Sequence, residues 1–252
     1  MMKILEVCVD SIDSAIQAKI GGATRLELCA NIVIGGTTPS IYLFHFVRTE
    51  CNLPVHVLIR PRSGDFCYNE LDFRIMFSEI QEFKHAGAAG VAIGALTPEG
   101  SLHMKYMEKM CKMADGMSIT LHRAFDMCKD PIDTLNKAAE LGIDTILTSG
   151  QKNHCIDGVS LIKKLVKLKK ADIMVGGGVT PDVLQEIKKK TGATSYHLTG
   201  KKIIDSKMTF RNPDVSLGIK GMNEYESWVT CAETIAEVRK SLFSKTKKNP
   251  FL

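Results

Sequence analysis

The chain has 252 residues, 44% apolar and 24% charged, with a formal net charge of +5. This is the balance of a globular protein able to bury a large core, and no run approaches the roughly 18 uncharged apolar residues of a membrane helix. The eight cysteines show no CxxC pair, and a strand opens at Lys3 with no signal peptide before it, so the reading is reduced thiols in a cytoplasmic protein, without disulfides or a structural zinc.

In chain order, short apolar segments begin near Lys3, Thr24, Pro54, Gly90, Met117, Asp144, Asp172 and Ser195. Helical spacing fills the intervals: Ser11 to Ile20, with Asp10 or Ser11 as cap, then Pro39 to Glu50, Glu70 to Ala86 and Ser101 to Ala114. Further helices are predicted over Asp130 to Leu141, Ile156 to Lys170 and Pro181 to Thr191. Pro131 and Pro181 fall in first turns, where a missing N–H is harmless, and Gly21, Gly87, Gly142 and Gly192 mark helix ends. A long loop from Gly200 to Asn223 precedes a last helix over Glu224 to Phe243. Strand and helix alternating eight times predict a parallel (β/α)8 TIM-barrel-like fold, one domain over residues 1–244 with a short basic tail at 245–252. An open doubly wound sheet would want a G-x-G-x-x-G turn after the first strand. Val9 to Asp13 has none, and no nucleotide cofactor is evident.

Side chains alternate along a strand, so Glu6 and Cys8 share one face, as do Glu27 and Cys29, while Leu5, Val7, Val9, Leu26 and Leu28 share the other. An apolar outside around carboxylates and thiols predicts a polar barrel interior. The strand ends then read Glu6 and Cys8, Glu27 and Cys29, Arg60 and Arg62, Gly94, His122 and Arg123, Ser149 and Gly150, Gly176 to Gly178, and His197. Barrels place their active face at these ends.

Two chemistries are legible there. Cys8 and Cys29, on neighbouring strands about 5 Å apart, would share a soft cation such as Cu(I), with His122 or His197 as a third ligand; alternatively they are inert buried thiols. Arg60 and Arg62 offer planar forks to a carboxylate or phosphate, and Gly177 and Gly178 open backbone amides before the helix at Pro181. Arg123, Ser149 and His197 belong to the same anion-facing set. The bland alternative is that the arginines only neutralise Glu6 and Glu27. On the anion reading Glu6, Glu27 and His122 are candidates for proton transfer and Cys29 for a nucleophile. The run Met104, Met107, Met110, Met113 winds around half a helix and reads as core packing, not a copper stripe. The lysine clusters at 163–170 and 188–190 lack interleaved aromatics and read as solvated faces, which predicts no nucleic-acid partner.

The segments Glu6 to Ser11, Gly21 to Cys29, Gly35 to Ser40, Ile59 to Phe66, His122 to Asp126, Leu147 to Gly150 and Gly176 to Gly178 together resemble the CutC copper-homeostasis family, over about residues 3 to 212. The resemblance implies a TIM-barrel-like fold, a cytosolic homo-oligomer (dimer or tetramer), and copper handling with Cu(I) at Cys8 and Cys29. Two arginines, a glycine cup and a histidine exceed what a copper carrier needs, so an enzyme acting on a phosphorylated or carboxylated small molecule is the second reading. The loop residues Met208, Phe210, Val215, Leu217 and Ile219 are more apolar than a solvated connection needs, which predicts burial in a subunit contact or over the barrel end.

Overall fold

Strands that are apolar outward and polar inward can bury both faces only by closing on themselves under a coat of helices. The computed structural model describes residues 3–218 and 222–244; the tail at 245–252 and Ile219 lie outside the described residues. Strands β1 (Ile4–Val9), β2 (Arg25–Leu28), β3 (Val55–Leu58), β4 (Gly90–Ile93), β5 (Ser118–Leu121), β6 (Thr145–Thr148), β7 (Asp172–Val175) and β8 (Ser195–Leu198) form a closed parallel barrel in chain order. Closure is made by β8 on β1, with Glu6 beside His197. Helices α1 (Ile12–Ile20), α2 (Ile41–Cys51), α3 (Glu70–His85), α4 (Met104–Met113), α5 (Pro131–Glu140), α6 (Val159–Leu168), α7 (Pro181–Thr191) and α8 (Ala232–Phe243) follow the strands in turn. This is the barrel that the alternation predicts.

Local chemistry sets the boundaries. Ser11, Asn69, Asp130 and Thr180 accept hydrogen bonds from first-turn amides of α1, α3, α5 and α7, worth about 1 kcal/mol each. The outward strand residues Leu5, Val7, Leu26, Leu28, Val57, Val91, Ile93 and Leu121 are completely buried beneath the helices, each contributing roughly 1.5–3 kcal/mol. Met107 and Met110 join that core, with Met104 and Met113 packed against it. No helix among the described residues is long and apolar enough to cross a membrane.

The one misplaced region is the long connection. Instead of a loop and a helix from Glu224, Lys201–Asp205 (β9) pairs antiparallel with Glu226–Thr230 (β10), and the helix starts only at Ala232. Trp228, Val229 and Thr230 are strand formers, and their pairing with β9 holds this stretch extended instead of helical. The arm is rooted at the mouth of the barrel, where Cys231 donates its amide to the Gly200 carbonyl at 2.9 Å and Thr230 its hydroxyl to the Thr199 carbonyl at 3.0 Å. Its apolar residues do not fold over the barrel end: Met208, Phe210, Val215 and Leu217 are exposed, Leu217 at 83%.

The interior layers balance large polar residues with small ones. A Cβ on Gly90 would sit 2.5 Å from His56 Nε2 and 2.6 Å from the Ser118 carbonyl oxygen. Gly90→Ala is therefore expected to lower unfolding stability by about 1–3 kcal/mol, as overpacked cores do, measured by urea denaturation. An unchanged midpoint would contradict this packing.

Candidate functional site

The floor of the barrel mouth is a chain of buried charge. Register places Glu6 of β1 beside Arg25 of β2 and His197 of β8. Arg25 Nε donates to Glu6 Oε2 at 2.6 Å, and His197 Nδ1 lies 2.8 Å from Glu6 Oε1. Burial alone would favour neutral Glu6, but Arg25 and His197 together hold its carboxyl down at about 2. Burial opposes charge on His197, and the Glu27 and Glu6 carboxyls outweigh it, so His197 is raised. Burial pushes Glu27 up, with the nearby Glu6 carboxylate adding to it. Glu6 is thus the lasting anion and Arg25 the lasting cation of the floor. His56, one layer down, is lowered to about 4 by burial and by Arg25.

Above this floor Cys8 Sγ and Cys29 Sγ lie 3.6 Å apart, packed with Leu58 and Ala92. The contact with Cys29, then burial, raises the Cys8 thiol well above its ordinary range. One ligand atom each from Cys8, Glu27 and His197 falls within 4.8 Å of the others. These three line a mouth cavity of about 300 Å³, together with Ile32, Arg60, Phe66, His122, Arg123, Gly177, Gly178 and Gly200.

The rim is made by the loops after β2, β3, β5, β7 and β8. Arg60 donates from Nη1 to the Gly36 carbonyl at 2.8 Å and from Nη2 to the Gly64 carbonyl at 2.7 Å, tying two loops together. Gly36 has φ +84°, and a Cβ there would lie 2.7 Å from Leu58 Cδ2, so only glycine lets this loop fold down over the thiols. The Arg60 amide donates to Thr38 Oγ1, whose hydroxyl donates to Glu79 Oε2 of α3 at 2.8 Å. Arg123 donates from Nε to Asp126 at 2.8 Å and from Nη2 to Ser149 Oγ at 2.7 Å. Nη1 of Arg123 has no hydrogen-bond partner among the described residues, nor have the amides of Gly177 and Gly178. A Cβ on Gly177 would lie 3.7 Å from that Nη1, and Gly177 at φ +89° is in the left-handed region that glycine serves.

The structure therefore brings Cys8, Glu27, Arg60, His122, Arg123, Gly177, Gly178 and His197 to one cavity and leaves the remaining sequence candidates outside its lining. Cys29 sits just beneath, touching Cys8, and Glu6 lies in the floor. Ser149 is fully buried, its hydroxyl occupied by Asp126 and Lys152, so it props Arg123 instead of meeting a ligand. Arg62 is turned away: Asp72, Asp65 and the Cys67 carbonyl take its donors, and its guanidinium lies over Tyr68. The arginines do not neutralise Glu6; Arg25 does. Arg25 stands two residues before Glu27, so strand parity was the signal that pointed it inward. Asp126 was equally missed as a positioning group; its carboxylate also accepts the Thr148 hydroxyl and the Ser149 and Gln151 amides.

The CutC family profile matches residues 3–202. The human copper homeostasis protein cutC homolog is 40% identical over 230 residues, 90% of this chain and 84% of that protein. A CutC family protein from Histophilus somni is 39% identical over 94% of this chain and 98% of its own length. The crystal structure of CutC from Streptococcus agalactiae superposes with a TM-score of 0.74 at 31% identity, covering 79% of this chain and 99% of that one. A thiamine phosphate pyrophosphorylase from Pyrococcus furiosus shares the fold, with a TM-score of 0.58 at 16% identity over 95% of each chain.

Glu79 supplies a test of the rim. Burial pushes its carboxyl up to about 7, against the opposing hydrogen bond from Thr38. A carboxyl raised by folding holds its proton in the native state after the unfolded chain has released it. Its contribution to stability therefore falls as pH rises from 4.5 through about 7. Glu79→Gln should flatten that segment of a stability–pH profile; an identical slope in the variant would remove Glu79 as its source.

Proposed function

This chain belongs to the CutC family, and on that premise we propose that it handles cytoplasmic copper, holding Cu(I) as cargo between Cys8 and Cys29. The observation that carries this reading is the 3.6 Å separation of the two sulfurs, Cys8 in the cavity lining and Cys29 just beneath it. With metal–sulfur bonds of about 2.3 Å, sulfurs 3.6 Å apart subtend an angle near about 100°. A bent pair leaves room for a further donor, and His197 or Glu27 is in place to supply one. The soft thiolates suit Cu(I). They must lose their protons to bind, so affinity should weaken as pH is lowered.

Titration against a Cu(I) competitor tests the site. Wild type is expected to bind about one to two ions per chain, and the Cys8→Ser, Cys29→Ser double variant to lose the tight component. Equal affinity in the double variant would reject these ligands and leave the other thiols as adventitious binders.

A second reading is favoured by a specific observation: the unengaged Arg123 Nη1 faces Gly177, beside two amides that also lack partners. On this reading the mouth holds the phosphate or carboxylate of a small molecule, with the Arg60 charge nearby. Arg62 takes no part, its donors being engaged elsewhere.

The arm also supports a homo-oligomer. Met208, Phe210, Val215 and Leu217 are exposed in one chain, and a second copy of the chain is the covering surface proposed here. Light scattering at micromolar concentration should give a dimer or tetramer, and Phe210→Asp with Leu217→Asp should dissociate it. A wild-type monomer would refute the assembly.

A further inference from the structure

Two buried donors of residues lining the mouth, Arg60 Nε and His122 Nε2, lack partners among the described residues, and the chemistry of the second narrows what the cavity can accept. His122 lines the cavity at the end of β5 and is 4% exposed. Its Nδ1 accepts the Ala124 amide at 3.1 Å. An imidazole nitrogen that accepts carries no proton, so the neutral ring bears its single proton on Nε2. Burial and the neighbouring Arg60 charge keep the ring neutral, with a pKa of about 3. Nε2 is buried and has no hydrogen-bond partner among the described residues. The ring is fixed in place: a Cβ on Gly94 would lie 2.6 Å from Cε1, and the Phe66 ring packs 4.9 Å away on centroids.

A buried donor left unmatched is costly, and native proteins rarely tolerate one without a use. The Phe66 ring beside His122 offers no acceptor, and the neighbouring Arg60 guanidinium only donates. A carbonyl oxygen meets Nε2–H by accepting alone, whereas a hydroxyl there must also carry its own proton to an acceptor elsewhere in the cavity. His122 and Arg123 both line the mouth cavity, so the donor and the anion-facing group border the same small space. We propose that the mouth binds a small molecule bearing both an anionic group and an aldehyde or ketone carbonyl, the anion at Arg123 and the Gly177 and Gly178 amides, and the carbonyl oxygen on His122 Nε2–H. The inference rests on the anion reading above and adds the second functional group. A fixed neutral donor at a carbonyl, with the Arg60 cation nearby, stabilises negative charge building on that oxygen.

Calorimetry with matched probes separates the two layers. Inorganic phosphate and the pairs dihydroxyacetone phosphate with glycerol 3-phosphate, and pyruvate with lactate, are titrated into wild type, Arg123→Met, His122→Phe and His122→Gln. The carbonyl member of the better-binding pair should bind about tenfold tighter than its alcohol. His122→Phe should abolish that preference, read as the ketone-to-alcohol affinity ratio within the variant so that loss of the Ala124 contact affects both members alike, and His122→Gln, which restores an N–H, should recover part of it. Arg123→Met should weaken every probe. A carbonyl-labelled probe should also show a downfield ¹³C shift on binding to wild type that is lost in His122→Phe. Equal affinity for ketone and alcohol, or a preference that survives His122→Phe, would overturn the carbonyl site while leaving the anion reading standing. Failure of all five probes to bind wild type at millimolar concentration would overturn both.

Discussion

Everything at the mouth depends on one buried carboxylate. Glu6 is 1% exposed, and an ionised carboxylate can persist at that depth only if it is closely paired. Arg25 and His197 supply the pairing from the two strands that flank β1. Because these partners are adjacent in the barrel, the interaction also fixes registers β1–β2 and β1–β8, where the barrel closes. A hydrophobic interior of the same volume would be as stable or more so. The retained charge is therefore better understood through what it positions.

What it positions is asymmetric. One side of the mouth, built on β8, β1 and β2, presents His197, Cys8, Cys29 and Glu27, a donor set suited to a soft cation. The opposite side presents Arg60, Arg123, the Gly177 and Gly178 amides and the His122 N–H, all hydrogen-bond donors or positive charges. The copper reading draws on the first side and the small-molecule reading on the second. They need not compete for the same atoms, although a cation held by Cys8 would lie in the same cavity as any anion at Arg123.

Much of this was legible in the sequence because strand alternation is a rigid rule. Glu6, Cys8, Glu27, Cys29, Arg60, His122, Ser149 and His197 all obey inward parity, and each strand begins within a residue of its predicted start. Parity carries a residue or two past the strand end and fails where the chain turns. β3 stops at Leu58, and beyond Pro61 the chain turns, so Arg62 answers to Asp65 and Asp72 instead of to the barrel. Arg25 stands at the start of its strand, away from the C-terminal ends where barrels place their sites. The engagement of Arg60 with the Gly36 and Gly64 carbonyls could not be read either, because a carbonyl acceptor carries no residue signature. The arm was misread where tertiary pairing of β9 with β10 decided between strand and helix.

The ring nitrogens of His197 offer the most direct measurement on the central claim. With Glu6 ionised, its Oε1 takes a hydrogen bond from His197 Nδ1–H. ¹⁵N NMR of the native protein at neutral pH should then show Nδ1 protonated, and Glu6→Gln should shift that signal. An Nδ1 found unprotonated in the native protein, accepting a hydrogen bond from a neutral Glu6, would contradict the charge arrangement on which the mouth is built.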